Sequence, residues 1–348
     1  MLARVTLTSF PGPGYSHAVR FKPLICQPYL VIRRMLLYIP LCILLQSSAT
    51  ALAQDTAKMR MAYSAFSISF LNIFVARDAG IFKKHGLEAE LIQMAGPLPV
   101  AALASGEIDY LTGYTTGIVA TGQGAPLKGI LISLRKPPFF LVADQTIQRP
   151  NDLAGKRIGV DRIGSLQHLV ARLMLKQKGT DPEKVIFTQT GSVSNTVSSL
   201  AQGAVSAAIL SGPHNVIMAQ KGFRQIGAAD ELPMHFPTSG LVVNETRLKT
   251  DAPRIKSVIR VMLDAATFCR KERAWIVNYI KDRWKVDGKT AATVYDQWLS
   301  ILTPDGKISV KDMQEYFDLA YNQKQIPAPI NVAAVTDYSL LEQVLAGK

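Results

Sequence analysis

Arg157-Ile158-Gly159-Val160-Asp161-Arg162-Ile163-Gly164-Ser165-Leu166-Gln167-His168-Leu169-Val170-Ala171-Arg172-Leu173-Met174 is the stretch on which the fold turns. Arg157–Val160 is a short apolar run of strand character. Leu166, Leu169, Val170, Leu173 and Met174 recur at the three- and four-residue spacing of one helix face, predicting a helix over Leu166–Lys178. A strand that passes through a glycine turn into an amphipathic helix is the repeating unit of a parallel α/β architecture.

The same alternation extends both ways. Upstream, strands are expected at Arg60–Tyr63, Ala89–Met94, Ile108–Thr112 and Leu127–Ser133, with helices at Leu71–Ala79, Val100–Ala104 and Gly117–Thr121. Gly80, Gly86, Gly106 and Gly124 punctuate them as caps or turns. The pair Pro137-Pro138 then opens a further strand ending near Asp144. Downstream, strands are expected at Lys184–Thr188, Ala207–Leu210 and Gly240–Asn244, with helices at Thr196–Gln202 and Asn215–Lys221. The remainder reads as helical, with Ile255, Val258, Ile259, Met262, Leu263 and Ala266 on one face. Two successive α/β series, then a returning strand and a helical tail, imply two lobes around a cleft. Residues 54–143 are expected to begin the first lobe and 144–240 to form the second. Residues 241–348 would bring the return strand and tail back to the first. Two chain crossings would then form the hinge.

The first 53 residues read differently. They hold no Asp or Glu. Arg33-Arg34 precede an apolar run, Met35 to Leu45, which is followed by Ala51-Leu52-Ala53. Basic, apolar and small-residue regions in that order form a secretory signal, with cleavage expected after Ala53 and a periplasmic destination. The run is shorter than the ~20 residues a membrane-spanning helix needs. Leu41 before Cys42 is not the small residue a lipid-anchor site requires. The long, Pro-containing segment before Val31 is read as an N-terminal extension from a mis-assigned start. Formal net charge is +13. Removing Arg4, Arg20, Lys22, Arg33 and Arg34 reduces it to +8. Acids are interspersed with the bases and no basic run reaches five, which argues against a nucleic-acid surface. One cysteine, Cys269, remains after cleavage, so neither a disulfide framework nor a Cys-based metal site is expected.

Five ordered motifs then carry a family likeness. They are Ala76-Arg77-Asp78-Ala79-Gly80-Ile81-Phe82-Lys83-Lys84-His85-Gly86-Leu87; Ala102-Leu103-Ala104-Ser105-Gly106-Glu107-Ile108-Asp109; Asp152-Leu153-Ala154-Gly155-Lys156-Arg157-Ile158-Gly159-Val160; Gly164-Ser165-Leu166-Gln167-His168; and Leu200-Ala201-Gln202-Gly203-Ala204-Val205-Ser206-Ala207-Ala208. The chain resembles the solute-binding proteins of nitrate, sulfonate and taurine importers, a group related to binders of thiamine-type pyrimidine precursors. Ser206 stands where that family usually has Asp. The resemblance implies a type II periplasmic binding fold. It also implies a monomeric receptor that takes a small polar or anionic solute and docks on an ABC permease driven by a separate ATPase, with no cofactor and no metal. The alternatives it leaves open are a ligand-sensing module for a membrane kinase and a pyrimidine-precursor synthase of the same fold. The Cys-rich stretch of the yeast-type synthases is missing, as are the G-x-S-x-G, H-E-x-x-H and P-loop patterns.

In such a fold, ligands sit beyond the carboxyl ends of strands and near helix N-termini, whose unpaired N–H groups can hold an anion. The expected site residues are Ser64, Phe66 and Ser67; Gly113, Tyr114 and Thr115; Ser165, Gln167 and His168; Ser194 and Asn195; and Ser211 and Pro213. Phe66 and Tyr114 are assigned to stack on a flat ligand. Each Ser, Thr or Asn has helix capping as its competing role. Arg135 and Arg162 are read as surface cations and stay outside the set.

Overall fold

The computed structural model describes residues 57–347, apart from Ala95, Gln323 and Gln325. The expected leader, its N-terminal extension and the cleavage after Ala53 lie outside the described residues. Ten strands form two five-stranded sheets. The first contains β1 (Ala57–Tyr63), β2 (Leu87–Gln93), β3 (Tyr110–Leu111), β4 (Leu127–Ile132) and β10 (Gly240–Asn244), in the order β2-β1-β3-β10-β4. The second contains β5 (Phe139–Ala143), β6 (Arg157–Val160), β7 (Ile186–Gln189), β8 (Ala207–Ser211) and β9 (Arg224–Ala228), in the order β7-β6-β8-β5-β9. In each sheet three parallel strands are followed by one antiparallel strand. β10 runs against β3 and β4, and β5 against β8 and β9. Each antiparallel strand is the first to arrive after the chain crosses between lobes. This is the type II periplasmic binding fold.

The first sheet carries α1 (Leu71–Asp78), α2 (Ile81–Lys84), α3 (Leu98–Ser105) and α4 (Tyr114–Gly122). The second carries α5 (Leu166–Gln177), α6 (Val193–Ala201) and α7 (His214–Gln220). The tail follows as α8 (Glu245–Thr250), α9 (Ala252–Lys271), α10 (Arg273–Trp284), α11 (Gly288–Leu299), α12 (Val310–Asn322), α13 (Val332–Val335) and α14 (Ser339–Leu345). The apolar face of α9, with Ile255, Val258, Ile259 and Met262, packs against Ile73 and Phe74 of α1. Burying each such side chain stabilises the lobe by roughly 1.5–3 kcal/mol.

Two expectations need correction. The lobe boundary falls after β4, not after Ala143, because β5 pairs with β8 and β9 in the second sheet. A strand's own sequence specifies its burial and not its partner. The tail, assigned to the first lobe, also touches the second. Asn215 Nδ2 of α7 donates to Gln297 Oε1 of α11 at 3.2 Å, and Gln220 Nε2 donates to Thr290 Oγ1 at 2.8 Å.

The crossings pair with each other. Ser133 N donates to Ser239 O at 2.7 Å, and Phe236 N donates to Arg135 O at 2.7 Å. A third segment joins on the other side, where Arg135 N donates to Ile301 O at 3.0 Å and Thr303 N to Ser133 O at 2.8 Å. The hinge region is therefore a small hydrogen-bonded ladder of three strands of chain. Among the described residues, no helix is long and apolar enough to cross a membrane.

Candidate functional site

A cavity of about 530 Å³ opens between the two sheets, within the ~300–1,000 Å³ range of small-ligand sites. Both lobes build its wall, and so does the tail. Three helices present their first turns to it. Gly113, Thr115 and Thr116 belong to the start of α4, Ser165, Leu166 and Gln167 to the start of α5, and Ser192 and Val193 to the start of α6.

The local sequence explains these starts. Ser165 Oγ accepts from His168 N, and Ser192 Oγ accepts from Asn195 N at 3.2 Å. Ser165 Oγ also donates to Asp161 Oδ1. The capping role assigned to Ser165 is thus present in the structure, and its hydroxyl is already engaged. What remains open is main chain. Among the described residues, no acceptor is found for the N–H groups of Leu166 and Gln167 in α5, Val193 and Ser194 in α6, or Tyr114, Thr115 and Thr116 in α4. Helix geometry leaves these first-turn donors without intrahelical partners. Together with the aligned peptide dipoles they favour a negative charge by ~0.3–1 kcal/mol per helix, and up to ~2 kcal/mol where partly buried.

Seven of the expected residues, Ser64, Ser67, Gly113, Thr115, Ser165, Gln167 and Ser211, lie on the wall. Six do not. Tyr114 is fully buried and its hydroxyl lies 3.4 Å from Tyr338 Oη, beneath β4 where Gly129 leaves room for the ring. As the first residue of α4, it turns its side chain to the sheet, and burial pushes its phenol well above the usual range. Phe66 faces α10, stacking on Trp284 at 4.8 Å with the Arg283 guanidinium 5.0 Å from its ring centroid. His168 is buried on α5, where Nδ1 accepts from Gly164 N at 3.1 Å and the ring meets Phe187 edge-on. Ser194 and Asn195 sit on the exposed flank of α6, with Asn195 Nδ2 donating to Thr190 O at 3.0 Å. Pro213 is buried at the start of α7, next to Gly212, where a Cβ would run into Val294 of α11.

Other wall residues were outside the sequence-based set. Arg162 is on the wall, and among the described residues no carboxylate forms an ion pair with it. Arg135, by contrast, donates to Ser300 O at 2.7 Å and holds the hinge ladder. Gln167 Oε1 accepts from Asp161 N at 3.0 Å, and Gln189 Oε1 accepts from Ile163 N at 3.2 Å, so each amide keeps its N–H groups for other partners. The wall also carries apolar side chains, among them Phe70, Leu111, Val119, Phe139, Leu169 and Ile326. Neither histidine nor cysteine lines the cavity among the described residues. Cys269 is buried in α9, and burial pushes its thiol up to about 12.

Comparison with known proteins agrees with this architecture. The chain is 22% identical over 307 residues to YtlA of Bacillus subtilis (strain 168), which carries the name of a binding protein; the match covers 85% of this chain and 92% of that one. The alkanesulfonate-binding protein SsuA from Xanthomonas axonopodis pv. citri, solved bound to MOPS, superposes with a TM-score of 0.69 at 18% identity, covering 81% of this chain and 99% of that one. The desulfurization enzyme DszB superposes with a TM-score of 0.65 at 12% identity, covering 84% and 99%. The fold thus serves both binding and catalysis, and the site must decide between them. A family model described as NMT1/THI5 like matches residues 67–273, more than half of the chain, and the chain belongs to that NMT1/THI5-like family.

Proposed function

We propose that this protein is an extracytoplasmic solute-binding subunit of an ABC importer, capturing a small anionic organic solute between its lobes. The observation that carries this reading is the convergence of three helix starts, from both lobes, on one cavity whose wall also bears Arg162, which has no ion pair among the described residues. Backbone N–H groups and one guanidinium suit a sulfonate or carboxylate head group. The apolar side chains of the wall suit an aliphatic or aromatic body. A ligand touching both lobes stabilises the state in which they are drawn together. The names of SsuA and YtlA support the same class of function, and the leader expected before Gln54 supports a periplasmic location. The permease and its ATPase would be the partners.

Binding is favoured over catalysis because the main-chain donors and apolar side chains of the wall suit holding an anion, and because YtlA and SsuA are named as binding proteins. The test is a thermal-shift and calorimetric screen of the mature chain against alkyl and aryl sulfonates, aromatic carboxylates, nitrate, taurine and pyrimidines. Saturable binding of an anionic member without turnover is the expected result. Exclusive binding of cations, or chemical conversion of a bound compound, overturns the reading.

A further inference from the structure

Tyr316 is a further polar residue of the cavity wall, and it comes from neither lobe's strand ends. It sits on α12, is 3% exposed, and lines the cavity together with Ala320 one turn later. Its ring is fixed on two sides. Phe236 of the second crossing meets it at 5.3 Å and 74°, and Phe317 meets it at 4.7 Å and 66°. Its hydroxyl has no hydrogen-bond partner among the described residues. Unlike Tyr110 Oη, which is enclosed without a partner, Tyr316 Oη is not sealed off from solvent. Burial raises the phenol far above its usual range, so the group keeps its proton at any physiological pH. A ring held rigidly on two sides, with an O–H that has no protein partner and is not sealed off, leaves that donor free for a ligand.

We infer that Tyr316 is a ligand-recognising residue, whose hydroxyl donates a hydrogen bond to an acceptor oxygen or nitrogen on the body of the bound solute. The inference rests on the anion-capture reading and narrows the solute class. The ligand carries an anionic head for the helix starts and, beyond it, a second and uncharged acceptor such as a carbonyl, ether or ring nitrogen. A purely hydrocarbon body would leave the phenol unmatched in the complex, at the cost of its hydration. The placement also matters for closure. Phe236, against which Tyr316 packs, donates its N–H to Arg135 O in the hinge ladder, so this contact with the solute lies one residue from the crossing chains.

The experiment measures, by calorimetry, binding of two probe pairs, benzenesulfonate with 4-acetylbenzenesulfonate and benzoate with 4-acetylbenzoate, to the wild type and to Tyr316→Phe. Removing one oxygen preserves the ring packing, so the unliganded variant should keep its Tm. Wild type should bind an acetyl compound about fivefold more tightly than its parent, the worth of one net hydrogen bond. In Tyr316→Phe that ratio should fall to about one, with the parent bound at least as tightly as by the wild type because no phenol hydration is lost. An equal ratio in both proteins overturns the inference and leaves anion capture standing, as does a clear loss of Tm in the unliganded variant, which would make the hydroxyl structural. Failure of the wild type to bind any of the four anions overturns anion capture and this inference together.

Discussion

Asn72 Nδ2 donates to Ser133 Oγ at 2.8 Å, with both side chains almost completely buried. The contact joins α1 to the first crossing at the point where that crossing also pairs with Ser239 and Thr303. Ser133→Ala leaves a buried amide hydrogen without an acceptor and should lower stability by about 1–3 kcal/mol. Urea denaturation of the unliganded protein measures it. A change within experimental error would mean that this link does not anchor the hinge.

Arg162 is exposed at the cavity wall and forms no ion pair among the described residues. Arg162→Gln should therefore leave the unliganded Tm unchanged, as is usual for surface substitutions. It should weaken binding of an anionic solute about tenfold, in line with a lost charge-assisted hydrogen bond. The loss should shrink as salt is raised, because an exposed charge is screened. Titrations at two ionic strengths test this, and equal affinities would remove Arg162 from the site.

Tyr114→Phe separates packing from recognition at the start of α4. The hydroxyl touches Tyr338 Oη and Met313 Sδ inside the core. Its removal should cost about 1 kcal/mol of stability and leave ligand affinity unaltered. A variant with full stability and impaired binding would return Tyr114 to the cavity.

Asp287 caps α11, accepting from Thr290 N at 2.9 Å and from Thr290 Oγ1 at 2.7 Å. These bonds hold its carboxyl down at about 2, below the ordinary value of 3.8. A carboxyl depressed in the folded state contributes stability that is complete above its unfolded value and fades as pH falls through its folded value. Asp287→Ala should therefore have a lower Tm than wild type at neutral pH, and the gap should narrow between about pH 4 and pH 2. A gap independent of pH would show that the ionised carboxylate is not the cap.

Most of the layout could be read before the structure. The helix face from Leu166 to Met174, the strand before it and the serine between them stand where periodicity puts them. Periodicity reports burial against something and does not name the partner. That is why β5 was placed in the wrong lobe, and why β9, with its exposed Arg224 and Gln225, drew no assignment. At the site the legible part was the set of strand-to-helix turns, because glycine and capping residues mark them. Side-chain direction was not legible. Phe66 and Tyr114 sit in cavity-facing turns, yet their rings point to α10 and β4, a choice made by helix phase and by the space over Gly129. Tyr316 was out of reach altogether, since its place depends on how the tail returns across the hinge.

The position of β10 between β3 and β4 also bears on how the chain is made. In a chain emerging from its N-terminus, β4 is complete more than a hundred residues before the strand that connects it to β3. Until Gly240–Asn244 arrives, the first sheet has an open slot in its middle, with the backbone groups of Leu111 and Leu131 lacking their eventual neighbour. The second sheet, by contrast, has all five of its strands by Ala228. Assembly is therefore ordered against the reading direction of the gene. The part synthesised first is finished last, and the first sheet keeps its open slot until about two-thirds of the chain has been made.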